Sequence, residues 1–254
     1  MTGASAGIGA ELARVLAPDY DLVLTARRAE PLHALAAELE QRHGATCHVF
    51  PLDLAVPGAA PRLFDSVRAA GLGVEVLVNN AGFGDVGSFA KADPGKVLRM
   101  IQVNVTALTE LTALFLPGFV ERDRGHILNV GSVAGFQPGP YMAVYYATKA
   151  YVNSLSEALH SELIGTGVTV TVLCPGPVAT EFARAAGAGG RAFSAGQAMG
   201  ARAVAEAGVR ALRAGRRMVV PGWRNQLLLF LERFSPRGAV IRAVKWMLRR
   251  RSRE

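Results

Sequence analysis

Cysteine is scarce in this chain: Cys47 and Cys174 are its only two among 254 residues. They stand far apart and neither has a metal-ligand spacing, so no metal site is expected, and two buried thiols in a reducing compartment are. Charge is thin as well. Charged residues make up 19%, under the usual quarter of a globular protein, which argues against wholesale disorder. No run of about 18 or more apolar residues occurs, so no transmembrane helix is indicated. The amino end lacks a basic stretch followed by an apolar one, so no secretion signal is read there. A cytoplasmic protein is expected, with the C-terminal tail left open. No repeat and no dividing linker breaks the chain. Half of its residues are hydrophobic, enough to build one sizeable core.

What the chain does contain is regular alternation. The runs 21–25 (DLVLT), 46–51, 74–79 (VEVLVN), 126–130 (HILNV) and 168–174 (VTVTVLC) are short and rich in Val, Leu and Thr, and read as strands. Between them the stretches 8–16, 29–42, 59–70, 95–122 and 143–163 read as helices. Such alternation predicts an α/β fold, a doubly wound parallel sheet in one domain with helices on both faces. The 28 glycines fit its many tight turns. The start is odd. Met1 leads straight into Thr2–Gly9 (TGASAGIG), a glycine-rich turn of the kind that normally follows a strand. That strand would be central in the sheet, so its absence is expected to open a large hydrophobic gap. A truncated or misassigned start is the expectation.

Several short motifs carry chemistry. Gly3, Gly7 and Gly9 let the backbone turn sharply, and the helix beginning near Ile8 would point its N–H groups at an anion. Asn79-Asn80-Ala81-Gly82 ends an apolar strand; its Asn side chains can brace strand ends while small residues leave room for a flat ligand. Tyr145 and Lys149 are four apart and share a helical face. A lysine ammonium there is expected to lower the phenol's pKa from about 10 and make it a usable acid/base. Ser132 lies just past a strand end, where its hydroxyl can reach a substrate oxygen.

Taken together, these pieces resemble the short-chain dehydrogenase/reductase family in its form of about 250 residues. The matches are TGASAGIG at 2–9, Asp53-Leu54, NNAG at 79–82, Asn104, Ser132, Tyr145-x-x-x-Lys149 and PGPVAT at 175–180, in family order and spacing to about residue 182. The resemblance implies a Rossmann-like fold and transfer of a hydride between a nicotinamide cofactor and an alcohol or carbonyl carbon. It places Gly3, Ser5, Gly7, Ile8 and Gly9 at the diphosphate, Asp53 and Leu54 beside the adenine, and Asn80, Ala81 and Gly82 on the adenosine side. Pro175, Gly176, Val178 and Thr180 would meet the nicotinamide. Tyr145 would be the acid/base and Ser132 would orient the carbonyl. Lys149 would hold the ribose hydroxyls, and Asn104 would support a proton relay through water.

The second half of the phosphate question lies at Leu24–Arg28. An NAD site would place Asp or Glu here, whereas this chain has Arg27 and Arg28, which suit a 2′-phosphate. NADP(H) is therefore the expected cofactor. Stretches 84–89, 135–141 and 183–200 look roomy and apolar, and favour a hydrophobic substrate, with 183–200 as the substrate loop. Family precedent suggests a homodimer or homotetramer through 95–122 and 143–163. The catalytic domain is expected over 1–222, followed by a basic amphipathic extension at 223–254. Much of the net charge of +8 sits there, at Arg237, Arg242, Lys245, Arg249, Arg250, Arg251 and Arg253. Val240, Ala243, Val244 and Met247 are expected to share its apolar face. Such a helix can pack on its own domain, on a second subunit or on an anionic membrane surface. No nucleic-acid reading motif accompanies the charge. Two other classes stay open: a non-catalytic NADP-binding or redox-sensing protein on this fold, and a membrane-surface interaction protein resting on the tail.

Overall fold

The computed structural model describes residues 1–182, 186 and 198–249. Most of the expected substrate loop, 183–185 and 187–197, and the basic residues beyond 249 lie outside the described residues.

The elements are α1 (Gly7–Leu16), β1 (Leu22–Ala26), α2 (Ala29–His43), β2 (Cys47–Pro51), α3 (Ala59–Ala69), β3 (Val76–Asn79), α4 (Pro94–Ile101), α5 (Leu108–Glu121), β4 (Gly125–Val130), α6 (Ala143–Glu162), β5 (Val168–Leu173), α7 (Ala201–Arg213), β6 (Met218–Val219), α8 (Trp223–Glu232) and α9 (Arg237–Arg249). Strands and helices alternate along the chain, except where two helices follow one another after β3 and after β6. Local chemistry sets several boundaries. Asp93 accepts from Gly95 N and Lys96 N and so caps α4, with Pro94 at the first helical position. Gly44, at φ 68°, closes α2 in the left-handed region.

All strand pairs are parallel, with β1 beside β2 and the order β3-β4-β5-β6 in the larger group. Alternate side chains face opposite layers. Leu128, Val130 and Leu173 meet α1, α2 and α7 through Leu12, Leu35 and Val209. Ile127, Val168 and Val170 meet α3 and α5 through Leu63, Leu111 and Phe119. Helices therefore cover both faces, as a doubly wound sheet requires.

The two strand groups face each other across a narrow breach, joined at one end by Met1 and Thr2. Thr2 pairs in parallel with Thr25 and donates its N–H to Val78 O at 2.9 Å. Thr25 N donates to Met1 O at 3.0 Å, and the Met1 ammonium donates to Val23 O at 2.7 Å. Beyond these residues a cavity of about 290 Å³ opens between the groups, walled by Leu22 and Val23 on one side and Val76, Leu77 and Val78 on the other. This cavity lies where the hydrophobic gap is expected. Its burial of the Met1 ammonium pulls that group's pKa from 8.0 down to about 5.

One predicted helix differs. The stretch 95–122 is a continuous helical rod in which Gln102–Ala107 winds as a π-helix between α4 and α5. The wider turn rotates Asn104 and Ala107 inward, where both are buried. The rod, Pro94–Glu121, is long and apolar enough on composition alone to cross a membrane. Met100, Leu111 and Phe119 are nonetheless buried inside this fold.

Candidate active site

The C-terminal ends of β1, β3, β4 and β5 open on one side of the sheet, and the singled-out residues gather there. The strand order reverses at Met1–Thr2, which makes this the crevice where doubly wound sheets take ligands. Gly3 sits at φ 65° and Gly7 at φ 58°, both in the left-handed region that side chains disfavour. A Cβ on Gly9 would collide with Gly3 O and with the Asn80 side chain. One on Gly7 would press on Thr180 Cγ2 at 3.2 Å. The turn is thus packed tightly on two other motifs. Helix α1 starts from Ala6 with no side-chain cap, so its first N–H groups face the crevice without an intramolecular anion.

Thr2 and Asn80 lock the turn to β3. Thr2 Oγ1 accepts from Asn80 N and Ala81 N, each at 3.0 Å, and Asn80 Nδ2 donates to Thr2 O and Gly3 O at 3.0 Å. Asn79 turns the other way. Its Nδ2 donates to Thr112 Oγ1 at 3.1 Å and to Asn129 Oδ1 at 3.0 Å, tying β3 to α5 and β4. Asn104 fixes the next segment: it accepts from Phe83 N at 3.1 Å and donates to Phe83 O at 3.0 Å and Thr148 Oγ1 at 3.1 Å. Both its amide protons are therefore engaged, and one lone pair of Oδ1 remains near Gly82 and Lys149, whose Nζ would stand 3.7 Å from a Cβ on Gly82.

Helix α6 carries the tyrosine and lysine. Lys149 is buried, and its Nζ donates to Val130 O at 2.7 Å. It stands 5.9 Å from the centroid of the Tyr145 ring. Ser132 lies two residues past β4; its Oγ accepts from Ala134 N at 3.0 Å and donates to Pro175 O across a long 3.4 Å. Asn153, one turn past Lys149, donates to Ser132 O at 3.1 Å and holds the serine in place. Gly131 and Gly135 leave room for it, since a Cβ on either would run into Asn153.

The electrostatics correct the expectation for Tyr145. Burial pushes its phenol up to about 12, and the Ser132 hydroxyl offsets only part of that rise. Tyr146 adds to the rise, and Lys149 is buried too, so desolvation brings its own pKa down from 10.5 to about 8. The pair is a neutral phenol, its proton in place, beside a cation held at a cost.

Other expectations divide. Pro175 joins the site through Ser132 and Val133, whose N–H it accepts at 3.1 Å. Thr180 abuts Gly7. Gly176 lies against Asn225 of α8, and Val178 pairs with Met199. Ser5 and Ile8 are partly buried in the turn, Ile8 packing on the core. Asp53 is committed: one oxygen accepts from Ala55 N at 2.9 Å, the other pairs with Arg99 at 3.0 Å. Leu54 points its side chain into the core under α3, so only its backbone can face a ligand. Arg28 pairs with Glu181 at 3.4 Å on the surface. Arg27 is exposed at the end of β1, and among the described residues no acid pairs with it. Sequence reasoning assigned no role to Thr2 and passed over Asn153, Met142 and Phe182. Thr2 lay in plain view inside the glycine motif. Phe182 stacks 5.3 Å from the Tyr145 ring, and with Met142 forms the apolar wall opposite Gly84.

The helical face of the tail also needs correcting. Val240, Val244 and Leu248 face inward, onto Ala134 and Tyr146, while Ala243 and Met247 are exposed. The buried stripe runs at intervals of four because α9 lies along the start of α6. Of the two thiols expected to be buried, Cys174 is and Cys47 is only half-buried; desolvation still raises both, Cys47 to about 11 and Cys174 to about 12.

The comparisons agree with this geometry. The family model described as short chain dehydrogenase matches residues 1–189. The very-long-chain 3-oxoacyl-CoA reductase of Anas platyrhynchos is 35% identical over 195 residues, 72% of this chain and 60% of that reductase. The NADP-dependent 3-hydroxy acid dehydrogenase YdfG of Salmonella typhi is 40% identical over 185 residues, 72% of this chain and 73% of that enzyme. A short-chain dehydrogenase from Sphingobium yanoikuyae, solved in complex with NADPH, has a TM-score of 0.82 at 34% identity and covers 92% of both chains. The chain spans about three fifths of the length of the first curated relatives it matches, 60% and 62%. With its glycine turn, NNAG strand end and Tyr–Lys helix assembled at one sheet edge, this chain belongs to the short-chain dehydrogenase family.

Proposed function

We propose that the chain is an NADP(H)-dependent oxidoreductase acting on an alcohol or carbonyl carbon of a hydrophobic substrate. The observation that carries this is the convergence of Tyr145, Lys149 and Ser132 beside a glycine turn that a single Cβ would fill. The residues fit a dinucleotide. Gly3, Ser5, Gly7, Ile8 and Gly9 would hold the diphosphate at the uncapped start of α1. Asn80, Ala81 and Gly82, with Asp53 and the backbone of Leu54, would flank the adenosine, and Arg27 and Arg28 would meet a 2′-phosphate. Pro175, Gly176, Val178 and Thr180 would border the nicotinamide. Two relatives name NADP or NADPH.

When bound, the cofactor supplies or accepts the hydride. The chain's own groups supply geometry and the proton. Tyr145, neutral at physiological pH, donates its phenolic proton to the carbonyl oxygen as negative charge develops there. Ser132 turns its weakly engaged hydroxyl to the same oxygen. Lys149 keeps two further N–H donors for ribose hydroxyls and supplies positive charge beside the phenol. Asn104 holds the Gly82–Phe83 backbone and offers its remaining lone pair to a water. Met142 and Phe182 exclude water and favour an apolar substrate.

The same reading assigns 1–222 to catalysis and 223–254 to an extension. It includes a homodimer or homotetramer through α4, α5 and α6, which expose Leu98, Ile101, Val120 and Tyr151. It also places the protein in the cytoplasm, with peripheral contact to a membrane through the basic extension. The test is NADPH and NADH oxidation against a panel of carbonyl compounds, with Tyr145→Phe alongside. The variant should lose about 10²–10⁴-fold in turnover while its NADPH affinity, read by fluorescence titration, stays unchanged. A fully active Phe variant would refute the assignment.

A further inference from the structure

Helix α8 is an anomaly for a helix on a folded domain. Six of its ten residues are Trp, Leu or Phe, yet it buries none of its side chains. Trp223 is 68% exposed and Leu228 66%, and Phe234 just beyond reaches 74%. Helix α9 repeats the theme on its outer side, with Trp246 61% exposed near Met247. Arg242, Lys245 and Arg249 are exposed on the same helix. Clustered exposure of large apolar side chains on neighbouring helices marks an interaction site.

Charge says what covers it. Residues 223–254 hold nine of the chain's 28 Lys and Arg residues and two of its 20 Asp and Glu residues, which leaves 1–222 at only +1. Two copies pressed together through this surface would set +7 against +7. An anionic bilayer meets the same surface with opposite charge and offers an apolar layer for Trp, Phe and Leu. Both tryptophans of the chain, Trp223 and Trp246, lie here, and indoles favour the zone between headgroups and acyl chains.

The surface is tied to the candidate site. Asn225 of α8 abuts Gly176 and donates to Pro221 O at 2.7 Å. The inner stripe of α9, Val240, Val244 and Leu248, packs with Tyr146, and Tyr145 and Met142 border that cluster. A bilayer on the outer side of α9 would therefore lie about one helix diameter, roughly 10 Å, from the site.

We propose that α8 and the outer side of α9 form a docking surface for an anionic membrane, which seats the candidate site at the bilayer so that it draws a lipid-soluble carbonyl compound or alcohol from it. The substrate half of this rests on the oxidoreductase reading above; the docking half does not.

The full chain, mixed with vesicles of phosphatidylcholine and about one third phosphatidylserine, should co-sediment and shift its tryptophan emission to the blue. Pure phosphatidylcholine should bind far more weakly. Reversing Arg242, Lys245 and Arg249 to Glu should lower partitioning by at least 100-fold, from about fivefold per cation near the surface. Leu228→Asn with Phe234→Asn should abolish the blue shift. Far-UV circular dichroism and NADPH titration of each variant, matching wild type, show that fold and dinucleotide site are intact. Absence of pelleting and of any blue shift with anionic vesicles would overturn the docking surface. So would a stable dimer that forms without lipid and is lost in Leu228→Asn. Vesicle binding by a protein that cannot take up NADPH would leave the docking surface standing and sink the oxidoreductase reading. Equal turnover of a long-chain aldehyde with and without anionic vesicles would overturn the substrate half alone.

Discussion

Replacing Lys149 by Met should stabilise the protein while disabling it. The ammonium is buried, and the fall of its pKa from 10.5 to about 8 corresponds to about 3 kcal/mol that the folded state loses by keeping it charged at pH 7. Methionine fills similar space without charge. It also removes the bond from Nζ to Val130 O, which returns about 1–2 kcal/mol. The net gain is about 1–2 kcal/mol, or about 3–6 °C in Tm for a domain of this size. The pH dependence isolates the lysine. A cation whose pKa is depressed by folding binds fewer protons folded than unfolded between about 8 and 10.5. The wild type therefore gains stability as pH rises through that window, and the Met variant does not. Below about pH 8 the burden is fully present; by pH 10.5 most of it is gone. Urea denaturation of both proteins at pH 7, 8, 9 and 10 measures the difference directly, since contributions from exposed lysines cancel. Wild type and variant differing by the same amount at every pH would show that the ammonium carries no such burden. Reductase turnover should drop in the variant at every pH, because the positive charge beside Tyr145 is gone.

Arg27→Asp should reverse the preference for NADPH over NADH, measured as the ratio of kcat/KM values, because the exposed guanidinium at the end of β1 is replaced by a ribose-hydroxyl acceptor; an unchanged ratio would remove Arg27 from the site. Gly9→Ala should cost about 1–3 kcal/mol in urea denaturation and abolish NADPH binding, since its Cβ would overlap Gly3 O and force the turn apart; a stable variant with normal affinity contradicts the close approach. Adding a short apolar, β-branched segment before Met1 should raise Tm by several degrees, because it converts a buried amino group, its pKa pulled down to about 5, into an amide and pairs the backbones that face the 290 Å³ cavity. An unchanged Tm would mean that the breach does not accept a strand.

How far the sequence reached depends on what each feature rests on. Strands buried on both faces announce themselves as apolar runs rich in Val, Leu and Ile, so the ends of β1, β4 and β5 are legible to within a residue or so, and the half-buried edge strand β2 comes out equally close. The doubly wound topology follows from their alternation with helices. Strand β6 has only two residues, too few for any period to show. Helix α7 follows an Ala- and Gly-rich stretch that hides its start. The π turn at Gln102–Ala107 reads as ordinary helix, because what widens it is Asn104 gripping Phe83 and Thr148, contacts made with residues 21 and 44 positions away. The tail's buried stripe fails for a similar reason. Several faces of 240–249 are apolar enough to turn inward, and Tyr146 and Ala134 decide which one does.

The candidate site itself was legible as a list of groups and opaque as electrostatics. Spacing alone places Lys149 one turn from Tyr145, and an isolated pair in water would pull the phenol down. Spacing carries no information about solvent, and solvent sets the sign. With both groups buried, desolvation favours the neutral phenol and penalises the ammonium, and the two effects reinforce each other. A phenol held at about 12 still yields its proton to an alkoxide forming beside it, since a nascent alkoxide is the stronger base. The same phenol would be a reluctant base toward an alcohol until a further positive charge arrived. The cover that Phe182 and Met142 give Tyr145 therefore sets where the phenol titrates, and removing part of it, as in Phe182→Ala, should lower the phenol's pKa and move the pH profile of turnover to lower pH.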